Sequence, residues 1–139
     1  MRLASRRPAP SFAAGSLLRI PDSPADGRTL VIFADATCGV CERGKSLIAE
    51  VVSRVGTLPD TRVRLITGAS WPDSQRGYAH AIGVDKEVWS MHDLTALGVK
   101  RVPTVVLTGK DGAVIQSWDG LPSSASEIVD GVTSHSMTR

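Results

Sequence analysis

Cysteine is scarce in this sequence, and its scarcity limits the roles that it can have. Only Cys38 and Cys41 are present among the 139 residues. A disulfide-stabilised scaffold needs more cysteines, placed farther apart in the chain, and a bridge across so short a loop restrains the unfolded chain very little. A zinc site needs four ligands, and His80, His92 and His135 do not form a second pair at zinc-binding spacing. We therefore expect no metal and no other cofactor, and a chemical role for the two cysteines.

An excess of charge and long apolar runs are also absent. The net charge of +2 is too small for the basic stripe that nucleic acids or anionic membranes require. No apolar run approaches the roughly 18 residues of a membrane-spanning helix, so we expect no nucleic-acid binding and no membrane insertion. The basic N-terminus is not followed by the apolar core of a signal peptide. A cytoplasmic location is expected if Met1 is the native start, and a periplasmic one if a leader was removed.

What remains is the composition of a small globular protein. Hydrophobic residues make up 42% of the chain and charged residues 22%, and its length suits one domain. The Pro-, Ala- and Arg-rich start predicts a flexible segment over residues 1–15. One domain over residues 16–134 and a short tail over residues 135–139 are expected to follow. We expect this domain to be a monomer.

Apolar periodicity predicts an α/β domain. Residues 29–34 form an apolar run of strand length that favours burial on both faces, and the residues after Cys41 repeat apolar side chains at helical spacing as far as Gly56. This strand–helix–strand order predicts a parallel pair, and a later hairpin adds antiparallel strands, so we expect a central mixed β-sheet flanked by helices on both faces. The further predicted elements are strands over 17–20, 62–67, 102–108 and 113–118, helices over 74–82 and 84–97, a hairpin turn at 109–112, and a C-terminal helix with a capping box at Ser124–Glu127.

The Cys38-Gly39-Val40-Cys41 segment lies where the buried strand gives way to the first helix. Unpaired backbone N–H groups and the positive end of the helix dipole favour the thiolate of Cys38 there. Cys41, one turn along on the same face, is within disulfide reach and more shielded. Cys38 is therefore the predicted nucleophile and Cys41 the thiol that resolves the mixed disulfide. Gly39 and Val40 provide neither charge nor a donor, which favours a less oxidising couple.

Three segments together resemble the thioredoxin-like superfamily: the Cys38–Cys41 motif with its preceding strand, Val102-Pro103-Thr104, and the hairpin that ends in Trp118-Asp119-Gly120. The resemblance covers residues 16–134. It implies a thioredoxin-like fold with a short N-terminal extension. It also implies a thiol–disulfide oxidoreductase that acts on protein thiols and disulfides and takes electrons from an upstream donor.

The same resemblance assigns residues to the substrate surface. It implies a cis peptide bond before Pro103, which lies with Val102 against the cysteines; Thr37, Gly39 and Val40 complete this surface. The N-terminal extension and the long spacing between the cysteines and the proline are similar to the TlpA or redoxin branch. That spacing leaves room for two helices where a minimal thioredoxin has one.

Two positions depart from the common thioredoxin pattern. Thr37 occupies the place of a tryptophan before the first cysteine, and Ile32 occupies that of a buried acid six residues before it. Asp35 is the candidate substitute for this acid. If no carboxylate takes that role, we expect proton transfer from Cys41, and hence turnover, to be slow.

Two other functions stay open as alternatives. A thiol peroxidase of the redoxin type has Thr or Ser three residues before its reactive cysteine and a proline upstream, whereas this chain has Asp35 and Val31 there. A non-catalytic binding module would use the groove at Pro103 without redox turnover. Trp71 and Trp89 are expected to pack in the core or its rim, or to flank the cysteines.

Overall fold

The computed structural model describes residues 12–20, 27–85 and 88–136. Most of the expected flexible segment over residues 1–15, and the end of the expected tail over residues 135–139, lie outside these ranges. None of the described helices combines the length and the apolar character that crossing a membrane requires. In chain order the elements are β1 Arg28–Ala34, α1 Gly39–Arg43, α2 Lys45–Val55, β2 Thr61–Thr67, α3 Pro72–Ala81, β3 Trp89–Met91, β4 Thr104–Thr108, β5 Val114–Asp119 and α4 Ala125–Ser136.

The strands form one mixed sheet in the order β3-β2-β1-β4-β5. β1 runs parallel to β2, and β2 parallel to β3, whereas β4 is antiparallel to both β1 and β5. β1 is central, and its residues 30–34 have no exposed surface, which explains why this segment is uniformly apolar. The expected α/β class with a mixed sheet flanked by helices is confirmed. Helices on both faces were expected, but the described helices all pack on one face, so that part of the expectation is wrong.

Alternate residues of β1 face two separate apolar clusters, as the two-residue period of a strand requires. Leu30, Ile32 and Ala34 point toward the face on which α2, α3 and α4 pack. The residues that these helices contribute are Ile48, Val51 and Val55 from α2, Tyr78 and Ala79 from α3, and Ile128, Val129 and Val132 from α4.

The opposite face of the sheet carries Val31 and Phe33 of β1 and is covered by segments without helical structure. Phe12 stacks on Phe33 with ring centroids 5.6 Å apart, and Leu18 and Val99 are buried in the same cluster. The N-terminal segment that the structure describes therefore belongs to the packed domain from Phe12 onward.

The helix predicted over residues 84–97 is wrong. Residues 89–91 instead form the short edge strand β3, in which Trp89 pairs with Leu65 of β2 and donates its indole N–H to Thr67 Oγ1 at 3.0 Å. Residues 94–98 are a series of turns that ends at Gly98 with φ +90°. Sheet pairing and turn formation outweigh the helical spacing of the apolar residues here. The described residues between β2 and Pro103 therefore form one helix, α3, and one strand, β3.

Three smaller differences have local causes. Leu17 makes only an isolated bridge with Ala113, so the strand expected over residues 17–20 is wrong. The single helix expected after the cysteines is interrupted at Gly44, where a side chain would collide with Leu121. At α4 the predicted cap was Ser124, but it is the Ser123 hydroxyl, one residue earlier, that donates to the Glu127 carboxylate at 2.7 Å.

The buried position of Phe12 predicts a large loss of stability on truncation. Replacing Phe12 with alanine removes the stacked ring from a site with 7% exposure and should lower the free energy of unfolding by about 3 kcal/mol. Urea denaturation of the reduced protein measures this. The matched control is Leu17→Ala, at a position with 54% exposure, where a change within about 0.5 kcal/mol is expected. Equal losses for the two variants would contradict the assignment of Phe12 to the core.

Candidate active site

A tight turn ends β1 and leads directly to the first cysteine. The Asp35 carboxylate accepts from the Thr37 backbone N–H at 2.9 Å and from the Thr37 hydroxyl at 2.6 Å, and the Cys38 N–H donates to the Asp35 carbonyl at 3.0 Å. Burial alone would raise the pKa of Asp35, but hydrogen bonds from Thr37 and from the Gln75 side chain lower it below its usual value. The turn is therefore closed by an ionised carboxylate.

Cys38 is the N-cap of α1, with extended backbone angles of φ −84° and ψ 122°. Its Sγ accepts a hydrogen bond from the Cys41 backbone N–H at 3.2 Å, in the way that a serine oxygen usually caps a helix. As a thiol it lies 3.7 Å from the Val102 carbonyl oxygen, toward which it donates. The half-buried sulfur is thus held by an N–H group and remains open to solvent on one side.

Cys41 occupies the opposite environment. It has no exposed surface, and both cysteines are free thiols. Burial raises the pKa of Cys41 to about 12, and its hydrogen bond with Cys38 adds to this effect. The inner thiol is therefore protonated in the reduced protein over the whole physiological pH range.

The segment before β4 forms the wall opposite the cysteines. The Val102–Pro103 peptide bond is cis, and the Pro103 carbonyl accepts from the Gly120 N–H at 2.8 Å. This bond ties the segment to the end of β5 and leaves the Val102 carbonyl beside the Cys38 sulfur. Residues 64 positions apart in the sequence are thereby brought into contact.

The remaining residues expected at the substrate surface border the Cys38 sulfur. Thr37 and Gly39 are exposed, and the Val40 side chain is 42% exposed. The Arg43 guanidinium folds back over the first turn of α1, with Nη1 3.2 Å from where a Cβ of Gly39 would lie. A positive charge therefore lies at the first turn of α1, directly after Cys38 in the chain.

Two buried polar residues of α3 form hydrogen bonds with the backbone of the cysteine segment. They were not predicted from the sequence. Gln75 has no exposed surface; its Oε1 accepts from the Ala36 N–H at 2.9 Å and its Nε2 donates to the Ser70 carbonyl at 3.1 Å. The Tyr78 hydroxyl donates to the Cys41 carbonyl at 3.1 Å. A signal was present in the sequence, since Gln75 occupies a position of the helical stripe that Tyr78, Ala79 and Ile82 otherwise make apolar.

The place of the missing buried acid is filled by the core residue Ile32, which has no exposed surface. Asp35 acts on Cys41 in two opposed ways: its backbone N–H bonds to the sulfur and lowers the pKa of Cys41, whereas its negative charge raises that pKa. The hydrogen bonds that lower the pKa of Asp35 also make its carboxylate a weak base toward the Cys41 proton.

The contrast between the two thiols predicts selective alkylation. At pH 8, iodoacetamide should modify Cys38 and leave Cys41 unmodified, because the Cys41 sulfur is inaccessible and its pKa is raised to about 12. Peptide mapping by mass spectrometry measures the two sites separately. Both should react in concentrated guanidinium chloride, which serves as the control. Modification of both sites at equal rates in the native protein would contradict the described environments.

Loss of the Gln75 amide should destabilise the fold. Gln75→Leu leaves the Ala36 N–H and the Ser70 carbonyl without their partner and should cost about 1–3 kcal/mol. Urea denaturation of the reduced protein provides the measurement. Ser74→Ala, at an exposed position of the same helix, is the control and should stay within about 0.5 kcal/mol of wild type. A Gln75→Leu protein as stable as this control would show that the amide contributes little.

Comparisons with known proteins relate this arrangement to solved structures. No model of a known protein family matches the chain, and no curated protein matches it in sequence. A candidate DsbE-type thiol:disulfide interchange protein from Chlorobium tepidum superimposes with a TM-score of 0.70 at 12% identity, over 91% of this chain and 99% of that one. The thioredoxin domain of a thiol-disulfide oxidoreductase from Bacteroides vulgatus gives 0.66 at 10% identity, over 87% and 99% of the two chains.

A third similar structure is a secreted disulfide oxidoreductase from Mycobacterium tuberculosis, described as homologous to Escherichia coli DsbE. Its TM-score is 0.62 at 11% identity, over 80% of this chain and 83% of that one. Sequence identities this low establish the architecture of the chain and not its activity. With its mixed sheet, its cysteine pair at the end of β1 and its proline segment opposite, this chain has the thioredoxin-like fold.

Proposed function

We propose that this chain is a thiol–disulfide oxidoreductase that exchanges a Cys38–Cys41 dithiol and disulfide with protein substrates, and that it works as a reductase. The main support is the contrast between the two sulfurs. Cys38 Sγ is half-buried and accepts the Cys41 N–H at 3.2 Å, whereas Cys41 lies fully buried behind it. The thiol–disulfide oxidoreductases among the similar structures agree with this proposal.

In the first step the Cys38 thiolate attacks one sulfur of a substrate disulfide. A bond forms between Cys38 and that sulfur, the substrate disulfide breaks, and the other substrate sulfur leaves as a thiolate that takes a proton from solvent. The Cys41 N–H donates to Cys38 Sγ at 3.2 Å, and a hydrogen bond of this kind is stronger when its acceptor is charged.

In the second step the Cys41 thiol gives its proton to solvent, and the resulting thiolate attacks Cys38 Sγ. The Cys38–Cys41 disulfide forms, and the bound substrate sulfur leaves as a thiolate that is then protonated. The hydrogen bond and the charge of Cys38 both contribute to the raised pKa of Cys41, and both are lost once Cys38 is in the mixed disulfide. The pKa of Cys41 therefore falls when its nucleophilicity is needed, although burial still keeps it high.

The residues around the pair support the proposed direction and partners. Each turnover reduces one substrate disulfide by two electrons and oxidises the protein dithiol, so an upstream dithiol donor must return the electrons. Gly39 and Val40 lack a charge that would favour a strong oxidant. We assign Thr37, Gly39, Val40, Val102 and Pro103 to the substrate surface, with the backbone at Val102 pairing with an extended substrate segment.

The proposal is tested by the reduction of insulin in the presence of dithiothreitol. The wild-type chain should accelerate insulin precipitation above the reaction with dithiothreitol alone, and Cys38→Ser should abolish the acceleration because the nucleophile is gone. Cys41→Ser should accumulate mixed disulfides with substrates, visible as adducts that a reductant removes. No acceleration by the wild-type chain, together with no adduct of the Cys41→Ser protein, would refute the exchange function and favour a binding module.

Two further measurements separate the remaining alternatives. Equilibration with glutathione gives the potential of the pair, and a value nearer about −270 mV than about −120 mV is expected of a reductase. A thiol peroxidase would instead consume hydrogen peroxide at the expense of dithiothreitol faster than it reduces insulin.

A further inference from the structure

One edge of the sheet gathers segments that are far apart in the sequence. β1, β2 and β3 are parallel, and their last residues Ala34, Thr67 and Met91 are successive register partners. With strands about 4.8 Å apart, Met91 lies roughly 10 Å from Ala34 across this edge. Cys38 follows β1 by four residues, and Trp71 follows β2 by the same number. The loops that carry the reactive sulfur and this tryptophan therefore leave the sheet side by side.

A single amide group connects these two loops. The Gln75 side chain accepts from the Ala36 N–H and donates to the Ser70 carbonyl, and the Gln75 backbone N–H donates to the Trp71 carbonyl at 2.9 Å. Ala36 is two residues from Cys38, and Ser70 directly precedes Trp71. The position of Trp71 relative to the cysteine loop is thus set by a buried residue with no exposed surface.

The backbone of Trp71 has an unusual conformation for a bulky residue. Its φ of 62° and ψ of 59° lie in the left-handed region, at the N-cap of α3. Pro72 follows at the first helical position and disfavours the right-handed conformation in the residue before it. A large aromatic residue rarely adopts this conformation, and such strain concentrates at functional sites.

The Trp71 side chain is 66% exposed, and it is not isolated. Among the described residues, five large apolar side chains are exposed: Leu17, Val40, Trp71, Val88 and Met91. Val40, Trp71 and Met91 belong to segments at the edge that carries Cys38, whereas Leu17 lies at the opposite edge, beside the start of β5. Several exposed apolar side chains at one edge of the sheet make that edge a candidate interaction surface.

We propose that Val40, Trp71 and Met91, together called the Trp71 face, bind the apolar residues that flank the reacting cysteine in an extended segment of a protein substrate. This inference rests on the proposed exchange function, because the segment is placed there by its disulfide with Cys38. Trp71 supplies a large and rigid contact area at little cost in side-chain entropy. The site is thereby selective for disulfides whose cysteines are flanked by apolar residues. Such disulfides are exposed in unfolded or partly folded chains.

The test uses two peptide disulfides and the Cys41→Ser protein, which retains the mixed disulfide. One peptide has leucines on both sides of its cysteine, and the other has serines; each is used as its symmetric disulfide. Rapid acid quenching and mass spectrometry give the rate constant for each adduct of Cys38. We expect the leucine peptide to react about tenfold faster, the scale of one good aromatic contact.

The variant Trp71→Ala, made in the same protein, should bring this ratio of rate constants close to one. Leu17→Ala is the matched control, because Leu17 is comparably exposed at the opposite edge, and it should keep the wild-type ratio. Circular dichroism confirms that each variant is folded. Because the ratio compares two peptides on one protein, a general loss of Cys38 reactivity does not change it.

Three outcomes would overturn the inference. If Trp71→Ala keeps the preference for leucine, the exchange function stands but the Trp71 face does not select the substrate. If neither peptide forms an adduct with Cys38, the exchange function fails, and this inference fails with it. If sedimentation shows a wild-type dimer that Trp71→Ala dissociates, the face is covered by a second copy of the chain.

Discussion

The hydrogen bond from the Cys41 N–H to Cys38 Sγ, 3.2 Å long, is the interaction on which the site depends. It makes a cysteine the cap of a helix, and so places the proposed nucleophile on a backbone N–H that has no partner within the helix. That geometry requires β1 to end where it does. Because β1 is paired on both edges and buried on both faces, it cannot slip by a residue without exchanging the side chains of its two faces. The position of the Cys38 sulfur therefore depends on the register of the central strand.

The two thiols differ in exposure, because Cys38 lies at the surface end of the first turn of α1 and Cys41 at its buried end. Burial raises the pKa of Cys41 to about 12, and the residue that might have lowered this barrier, a buried acid in β1, is replaced by Ile32. Asp35 is directed to Thr37 instead. The inner thiol is thus stable in the reduced protein. In the proposed exchange, release of the substrate needs the Cys41 thiolate, so we expect it to be the slow half of the reaction.

Helix α3 supports the site at the cost of burying polar groups. Gln75 and Tyr78 are three residues apart and lie on one face of the helix, where they bond to the segments before and within α1. A buried amide is tolerated only when its hydrogen bonds are made, and here each bond joins a different loop. This arrangement relates the cysteine loop to the loop of Trp71, so that the same buried residue positions the reactive group and the neighbouring apolar surface.

The sequence alone determined the features that depend on neighbours along the chain. The uniformly apolar run of β1, the alternation in β2, the turn at residues 109–112 and the cysteines at a strand-to-helix boundary are all local patterns, and each was predicted from the residues concerned. The helix expected over residues 84–97 failed because β3 exists only through its pairing with β2, which no local period reveals. Likewise, only the tertiary structure placed the Val102 carbonyl beside Cys38, buried the Gln75 amide behind it and brought Trp71 to the same edge. These contacts join segments that are distant in the chain, and their geometry is decided by sheet order and packing rather than by local conformational preference.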